Sequence, residues 1–162
     1  CRREDIKSAF LFSCYCGLRI SDVLALKWKN VDCTGEQWHI NIIMQKTQQP
    51  LYLPLSMQAR KWMPERDGSG EEEAVFSTLP CEDTCNVQIK QWVKEAGITK
   101  HVTYHVSRHT FATMLLTLGA DLYTVCKLLG HTDVKTTQIY AKIINKKKDD
   151  AIGLIDTEFA YT

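Results

Sequence analysis

The spacing of apolar residues in this chain follows two different periods, and the change between them limits the folds open to it. Residues 5–16 and 103–140 follow the helical repeat, with apolar side chains every three or four positions. Between them, from Trp38 to Leu55, apolar residues alternate with polar ones around the turn-like residues 45–50. This stretch predicts a β-hairpin with Lys46 at its tip. A flexible tip can carry a lysine amine into a groove, although a turn lysine is ordinarily solvated.

Glycines indicate where the helices end. Gly17 follows the first helical stretch, and Gly119 and Gly130 divide residues 103–140 into three segments. Glycine readily adopts the left-handed conformation that closes many helices. The sequence therefore predicts one helix before Gly17 and three short, consecutive helices across residues 103–140.

Arg19 is predicted to lie in a tight joint between two helices. Gly17 ends the helix before it, and Ser21, a residue type that caps helix N-termini, starts a second helix that runs to about Trp28. The free amides and positive potential of that N-terminus add to the guanidinium charge, so the joint is suited to an anion. Asp22 can hold the guanidinium or a nearby histidine in position. An ordinary surface pair between Arg19 and Asp22 is the structural alternative.

Four side chains that can bind anions, transfer protons or act as nucleophiles lie between residues 103 and 140. His105 and Arg108 are three positions apart, which puts them on one face of the first helix. His131 directly follows a helix end, where its side chain can point into a cleft, and Tyr140 lies on a third helix that is predicted to be half exposed. Taken singly, each has an ordinary explanation as a packing, core or solvated residue. Their occurrence together favours a functional site.

The remaining segments are predicted to be scaffold. Ser56 can cap a short helix, and a longer helix is expected from about residue 83 to Gly97. Between the two lies the acidic loop at residues 64–73, which we expect to be solvated.

Length and composition are those of a single soluble domain. The chain has 162 residues, of which 44% are hydrophobic, enough to bury a sizeable core. No apolar stretch approaches the roughly 20 residues of a membrane span, and residues 1–5 are charged rather than apolar as in a signal peptide. A cytoplasmic protein is therefore expected. Because the first residue is not methionine, we also expect that an N-terminal part is missing.

The cysteines predict neither a disulfide framework nor a metal site. There are seven, an odd number, which fits a reducing compartment. Two close pairs, Cys14 with Cys16 and Cys81 with Cys85, lack the paired spacing of a zinc site. Small buried residues are the expectation, and no metal is expected.

Charge is unevenly distributed along the chain. The net charge is only +1, but residues 65–73 carry −4 and leave +5 for the rest. A basic face for nucleic acid is therefore compatible with the composition.

Arg19, Lys46, His105, Arg108, His131 and Tyr140 follow one another along the chain in this order. In this the chain resembles the catalytic domain of the tyrosine recombinases, also called the phage integrase family. The resemblance rests on a lysine in the hairpin, Lys46, and on four motifs that span nearly the whole chain: Gly17-Leu18-Arg19-Ile20-Ser21-Asp22, His105-Val106-Ser107-Arg108-His109, Leu128-Leu129-Gly130-His131 and Thr136-Thr137-Gln138-Ile139-Tyr140. The family often has leucine where Ser107 stands.

The resemblance implies an α+β fold that is mainly α-helical with a small antiparallel β-sheet. It implies a catalytic domain over residues 1–162, a C-terminal tail at 145–162, and an N-terminal DNA-binding domain that is absent from this sequence. It also implies double-stranded DNA as partner, a tetramer on two DNA sites, accessory DNA-bending or directionality factors, and a bacterial, DNA-associated protein of the cytoplasm.

The resemblance also assigns roles that suit the chemistry of phosphodiesters. Tyr140 would attack the scissile phosphate, forming a 3′-phosphotyrosyl link and releasing a 5′-hydroxyl. Arg19, Arg108 and His131 would stabilise charge on the non-bridging oxygens. A tyrosine with its ordinary pKa of about 10 must lose a proton to a base, for which His105 is the candidate. Lys46 would protonate the leaving oxygen. Neither a metal nor a nucleotide cofactor is expected.

Three alternatives stay open at this point. A type IB topoisomerase uses a similar set of side chains to let one strand swivel. A DNA-binding module can keep the motif residues without performing chemistry. A protein-interaction domain would have no affinity for DNA.

Overall fold

A computed structural model of the chain describes residues 1–140, and the predicted tail at 145–162 lies outside them. The α-helices are α1 Glu4–Cys16, α2 Ile20–Ala25, α3 Met57–Lys61, α4 Glu82–Glu95, α5 Val106–Leu118 and α6 Leu122–Leu128. The 3₁₀ helices are Trp28–Asn30 and Val134–Tyr140, and the strands are β1 Val31–Asp32, β2 His39–Ile43 and β3 Pro50–Pro54. The predicted fold class, mainly helical with a small antiparallel sheet, is confirmed. The described residues divide into two compact units, the first Cys1–Phe111 and the second beginning at Ala112.

The core of the first unit is built on α1. This helix buries Ile6, Ala9 and Phe12 completely, because they recur at the helical spacing. The hydroxyl of Tyr104, which is almost fully buried, donates to the Ala9 carbonyl at 2.7 Å and lies 2.9 Å from the Ser13 hydroxyl. A buried phenol that has both partners is stable in a core. These bonds fix the backbone that leads into α5.

Gly17 ends α1 as predicted. Its φ is 75°, in the left-handed region, and its N–H donates to the Ser13 carbonyl at 2.8 Å. A Cβ atom at this position would lie 2.4 Å from a ring carbon of Phe111, closer than real Cβ contacts allow. Both the backbone conformation and the space therefore require glycine.

Gly17→Ala is expected to destabilise the protein more than Gly97→Ala, and the comparison isolates the contact with Phe111. Gly97 has nearly the same φ, 72°, but a Cβ there would meet nothing within 4 Å. The left-handed conformation alone should cost about 1–2 kcal/mol at either position. Overpacking against Phe111 should add about 1–3 kcal/mol at Gly17. Urea unfolding of both variants measures the difference, and equal losses would mean that the Phe111 contact does not matter.

The sheet contains the predicted hairpin. Strands β2 and β3 pair antiparallel with Ile43 opposite Pro50, and Lys46 lies in the loop 44–49 between them. The sequence missed β1, which pairs Val31 with Ile40. A strand of two residues is too short to show a period.

Two helix predictions need correction. The second helix begins at Ile20, not after Ser21, and Arg19 takes the extended N-cap position with φ −73° and ψ 154°. The third helix of the 103–140 stretch is a 3₁₀ helix. Its residues repeat every three positions, so Thr137 and Tyr140 share its buried side while Ile139 is exposed.

The acidic loop at 64–73 is exposed, as predicted. Its last residues, 71–73, also bond to residues 27–29. Glu73 and Glu71 accept backbone hydrogen bonds from Trp28 and Lys29 at 3.1 and 2.9 Å. The Glu72 carboxylate lies 2.9 Å from the Lys27 ammonium and 2.7 Å from that of Lys29. Surface pairs of this kind add little stability.

Glycines also end the helices of the second unit. Gly119 and Gly130 have φ values of 113° and 62°, which confirms their predicted place at helix ends. Asp121 caps α6 by accepting a hydrogen bond from the Thr124 N–H at 2.9 Å. Within residues 1–140, no helix combines the length and the apolar character that a membrane crossing requires.

Candidate active site

Four of the six predicted site residues line one pocket of the first unit. Arg19, Lys46, His105 and Arg108 surround a cavity of about 200 Å³. They come from three separate stretches of sequence: the start of α2, the hairpin loop and the start of α5. The fold therefore gathers two guanidinium groups, an ammonium and an imidazole around one small space.

Arg19 reaches the pocket from the N-cap position of α2. Its side chain is 14% exposed, and Nη1 lies 4.0 Å from Asp22 Oδ2 and 3.7 Å from Met44 Sδ. The Asp22 separation is that of an ion pair without a hydrogen bond. The Arg19 guanidinium is therefore oriented by a neighbouring carboxylate and keeps donors for another acceptor.

Asp22 connects Arg19 with the loop that carries Lys46. It is buried, and its Oδ1 accepts a hydrogen bond from the Gln45 N–H at 2.7 Å. Among residues 1–140, the other oxygen, Oδ2, has no hydrogen-bond partner, although it is the one that faces Arg19. The sequence predicted that Asp22 could hold the guanidinium but missed the contact with Gln45. One carboxylate thus contacts both Arg19 at the start of α2 and the loop that carries Lys46.

Arg108 lines the pocket from a buried position. It is only 3% exposed, and Nη1 donates to the Gly17 carbonyl at 2.7 Å. This carbonyl lies at the C-terminal end of α1, where partial negative charge accumulates. A buried guanidinium needs such acceptors, because losing water without replacement is costly. This bond could not be predicted from the sequence, since Gly17 and Arg108 are far apart in the chain.

His105 lies just before α5 rather than in its first turn. Its carbonyl accepts the Arg108 N–H at 3.2 Å, and its ring meets that of His109 edge to face at 4.7 Å. Burial lowers the pKa of His105 below the ordinary 6.5, and His109 and the cations Arg108, Arg19 and Lys46 lower it further. At neutral pH the imidazole is therefore mainly uncharged and can accept a proton.

The other two predicted residues, His131 and Tyr140, belong to the second unit. His131 Nδ1 lies 2.9 Å from the hydroxyl of Thr137, which is fully buried. Thr137 and Tyr140 are three positions apart in the 3₁₀ helix Val134–Tyr140, and Tyr140 is 8% exposed. The His131 ring is thus tied to the helix that carries Tyr140. The sequence did not identify Thr137 as a partner, and the prediction that this helix is half exposed is wrong for Thr137 and Tyr140, which are both buried.

Of the two cysteine pairs, Cys14, Cys16 and Cys85 are buried and Cys81 is exposed. Burial raises the pKa of both Cys14 and Cys16 to about 12, so these thiols stay protonated at neutral pH. In the described part of the chain, no three His, Cys, Asp or Glu side chains are grouped so as to hold a metal ion.

The arrangement in the first unit suits a tetrahedral oxyanion. Guanidinium groups present planar pairs of N–H donors that match two oxygens of a phosphate. A neutral imidazole and an ammonium at the same cavity can accept and donate a proton, respectively.

Sequence comparison defines the class of protein. The chain matches the phage integrase family over residues 1–147 and belongs to that family. Among curated relatives, the tyrosine recombinase XerD of Lacticaseibacillus casei is 33% identical over 142 residues, which cover 80% of this chain and 47% of the relative. XerC of Xylella fastidiosa is 34% identical over 135 residues, covering 78% and 45%. The chain therefore spans about half the length of the curated relatives it matches.

Solved structures share the fold. The XerA recombinase superposes with a TM-score of 0.71 at 24% identity, covering 93% of this chain and 57% of that one. The catalytic domain of bacteriophage HP1 integrase gives 0.64 at 18% identity, covering 96% and 84%. XerH bound to its difH substrate gives 0.68 at 21% identity, covering 85% and 43%. The mainly helical fold with its small sheet is thus that of tyrosine recombinase catalytic domains.

Proposed function

We propose that the chain is the catalytic domain of a site-specific DNA recombinase or integrase that cuts and rejoins strands through a 3′-phosphotyrosyl intermediate. The observation that carries this proposal is the single pocket shared by Arg19, Lys46, His105 and Arg108. Membership of the phage integrase family supports it. The proposed domain covers residues 1–162, with a tail at 145–162, and acts in a longer protein that supplies an N-terminal DNA-binding domain.

The pocket would bind the scissile phosphodiester. A phosphodiester repels nucleophiles and gains negative charge on its non-bridging oxygens in the transition state. Fixed donors that need not reorganise during the reaction stabilise that charge most effectively. The burial of Arg108 and the ion pair of Arg19 with Asp22 support such fixed placement. His131 is proposed as a further donor to the same oxygens.

Tyr140 is proposed as the nucleophile. Its phenol oxygen forms a bond to phosphorus while the bond from phosphorus to the 5′ oxygen breaks. The phenol proton passes to His105, whose lowered pKa leaves it unprotonated at neutral pH. Lys46 gives a proton to the departing 5′ oxygen, so a neutral hydroxyl leaves.

The reverse reaction rejoins DNA. A 5′-hydroxyl from the same or another strand attacks the phosphotyrosyl ester, and the roles of acid and base are exchanged. Because the ester keeps the energy of the phosphodiester bond, the mechanism needs no nucleotide cofactor. It uses guanidinium groups where other phosphoryl-transfer enzymes use a metal ion.

Double-stranded DNA is the proposed partner. The structures of XerH and of the Tn1549 transposon integrase are complexes with DNA. We propose further that the full-length protein acts as a homotetramer on two DNA sites in the bacterial cytoplasm, with accessory DNA-bending or directionality factors. Residues 1–162 alone should bind DNA weakly, because they match only about half the length of the curated relatives.

Trapping on a nicked suicide duplex tests the proposal. Cleavage close to the nick releases a short fragment that diffuses away, so the phosphotyrosyl ester cannot be reversed. A covalent protein–DNA band supports a strand-transferring enzyme. Salt-sensitive binding without that band would indicate a silent DNA-binding module. Relaxation of supercoiled plasmid by monomers without recombinant product would indicate a topoisomerase.

The rate of covalent complex formation is expected to rise with pH through a midpoint below 6.5 and then level off. Protonated His105 cannot accept the phenol proton, and the pKa of His105 lies below 6.5, so the reactive form is lost only as the solution becomes acidic. Measurements at low DNA concentration report the free protein's pKa. His105→Gln should remove this acidic limb, whereas His101→Gln, at an exposed position, should keep it. A midpoint above 7 would contradict the assignment of His105.

A further inference from the structure

The cationic pocket contains a carboxylate that the proposed chemistry does not use. Glu82, in the first turn of α4, lines the same cavity as Arg19, Lys46, His105 and Arg108. Its side chain is exposed, and within residues 1–140 it makes no hydrogen bond or ion pair. A free negative charge beside a site for a phosphodiester repels that ligand. This position therefore needs an explanation.

Two structural explanations account poorly for Glu82. A carboxylate in the first turn favours the helix by interacting with its dipole, but Asp83 is in the same turn and already provides that charge. A carboxylate can also neutralise cations around an empty site. Glu82 is not paired with Arg19 or Lys46, however, and Asp22 is the acid that lies next to Arg19. Neither helix stability nor charge balance requires Glu82 at the pocket.

The chemistry of DNA offers a partner that a carboxylate does fit. An ionised carboxylate only accepts hydrogen bonds. In the major groove, the base-edge donors are the amino groups of cytosine and adenine, whereas guanine and thymine present acceptors that repel it. Adenine carries the N7 acceptor directly beside its amino group, which disfavours a second acceptor there. Cytosine N4 is thus the best match for an exposed glutamate.

We propose that Glu82 reads the base pair next to the scissile phosphate by accepting a hydrogen bond from cytosine N4 in the major groove. This inference rests on the proposed function, since a phosphate held by Arg19 and Arg108 is what brings the neighbouring base edge to Glu82. Repulsion from phosphates turns the carboxylate away from the backbone and towards the base edge. Glu82 is then a specificity-determining residue. The cations of the same pocket bind the phosphate, which is the same whatever the base sequence.

The test uses a suicide duplex with randomised base pairs on both sides of the cleavage point and the full-length protein that contains this chain. Covalent complexes are recovered and their DNA is sequenced for the native protein, Glu82→Ala and Glu82→Gln. Glu95→Gln is the matched control, because it makes the same change at the other end of α4, about 20 Å away at 1.5 Å per residue.

We expect cytosine to be enriched at one position within about three base pairs of the cleavage point, and Glu82→Ala to reduce that enrichment about 5- to 100-fold. Glu82→Gln should shift the preference to adenine, because an amide side chain can bond both N6 and N7. A purely structural role for Glu82 would not change base preference at a single position. Glu95→Gln should leave the profile as in the native protein.

Two results would overturn the inference in distinguishable ways. Covalent complexes with the same base profile in the native protein and both Glu82 variants would refute the role of Glu82 and leave the proposed function intact. Failure of the native protein to form a covalent complex with any member of the library would refute the proposed function and this inference with it.

Discussion

Arg108→Lys is expected to slow covalent complex formation by at least about 100-fold, the effect of removing one fixed donor from an oxyanion site. Lysine keeps the charge but has neither the planar fork nor the reach to bond the Gly17 carbonyl and a phosphate oxygen together. Arg108 is buried and makes the 2.7 Å bond to Gly17. The ammonium would therefore leave that carbonyl without its donor. Single-turnover cleavage of the suicide duplex measures the loss.

Arg60→Lys is the matched control for this prediction. Arg60 also bonds a backbone carbonyl, that of Glu36 at 3.1 Å, and its guanidinium lies 4.2 Å from the ring centre of Trp38. It does not line the pocket that contains Arg108, so its replacement should leave cleavage nearly unchanged. Urea unfolding of both variants separates lost chemistry from lost folding. If folded Arg108→Lys cleaved within about threefold of the native rate, well inside the loss typical of such sites, the proposed phosphate contact would be wrong.

Tyr140→Phe is expected to abolish covalent complex formation, with a loss of at least about 10,000-fold, as for removal of nucleophiles in other enzymes. Only the hydroxyl is deleted, and the ring, which is 8% exposed, keeps its volume. Folding and salt-sensitive DNA binding should therefore be retained. Tyr123→Phe provides the control, because Tyr123 lies on α6 and is 60% exposed. Cleavage by Tyr140→Phe at the native rate would mean that another residue attacks the phosphate.

The sequence could predict the elements whose conformation is determined by residues close together in the chain. Gly17 and Gly130 close helices because of their own backbone freedom, and both have the expected positive φ. The hairpin that carries Lys46 follows from alternation within one stretch. Where the local signal was weak, prediction failed: β1 has two residues, and an α-helix and a 3₁₀ helix differ too little over seven residues to be separated by pattern.

The contacts that position the candidate site could not be predicted, because they join distant parts of the chain. Asp22 meets the amide of Gln45 only after the hairpin has packed beside α2. Arg108 reaches the Gly17 carbonyl only because α1 ends where α5 begins in space. The motif residues themselves were recognisable from the sequence, while the groups that hold them and the carboxylate of Glu82 required coordinates.

Identifying the residue that carries the DNA tests the central claim most directly. Covalent complexes from the suicide duplex are digested with nuclease and protease, and mass spectrometry locates the remaining nucleotide on the peptide. The proposed mechanism predicts one adduct, a 3′-phosphate ester on the phenol oxygen of Tyr140. An adduct on any other residue, or a 5′-phosphate linkage, would contradict it.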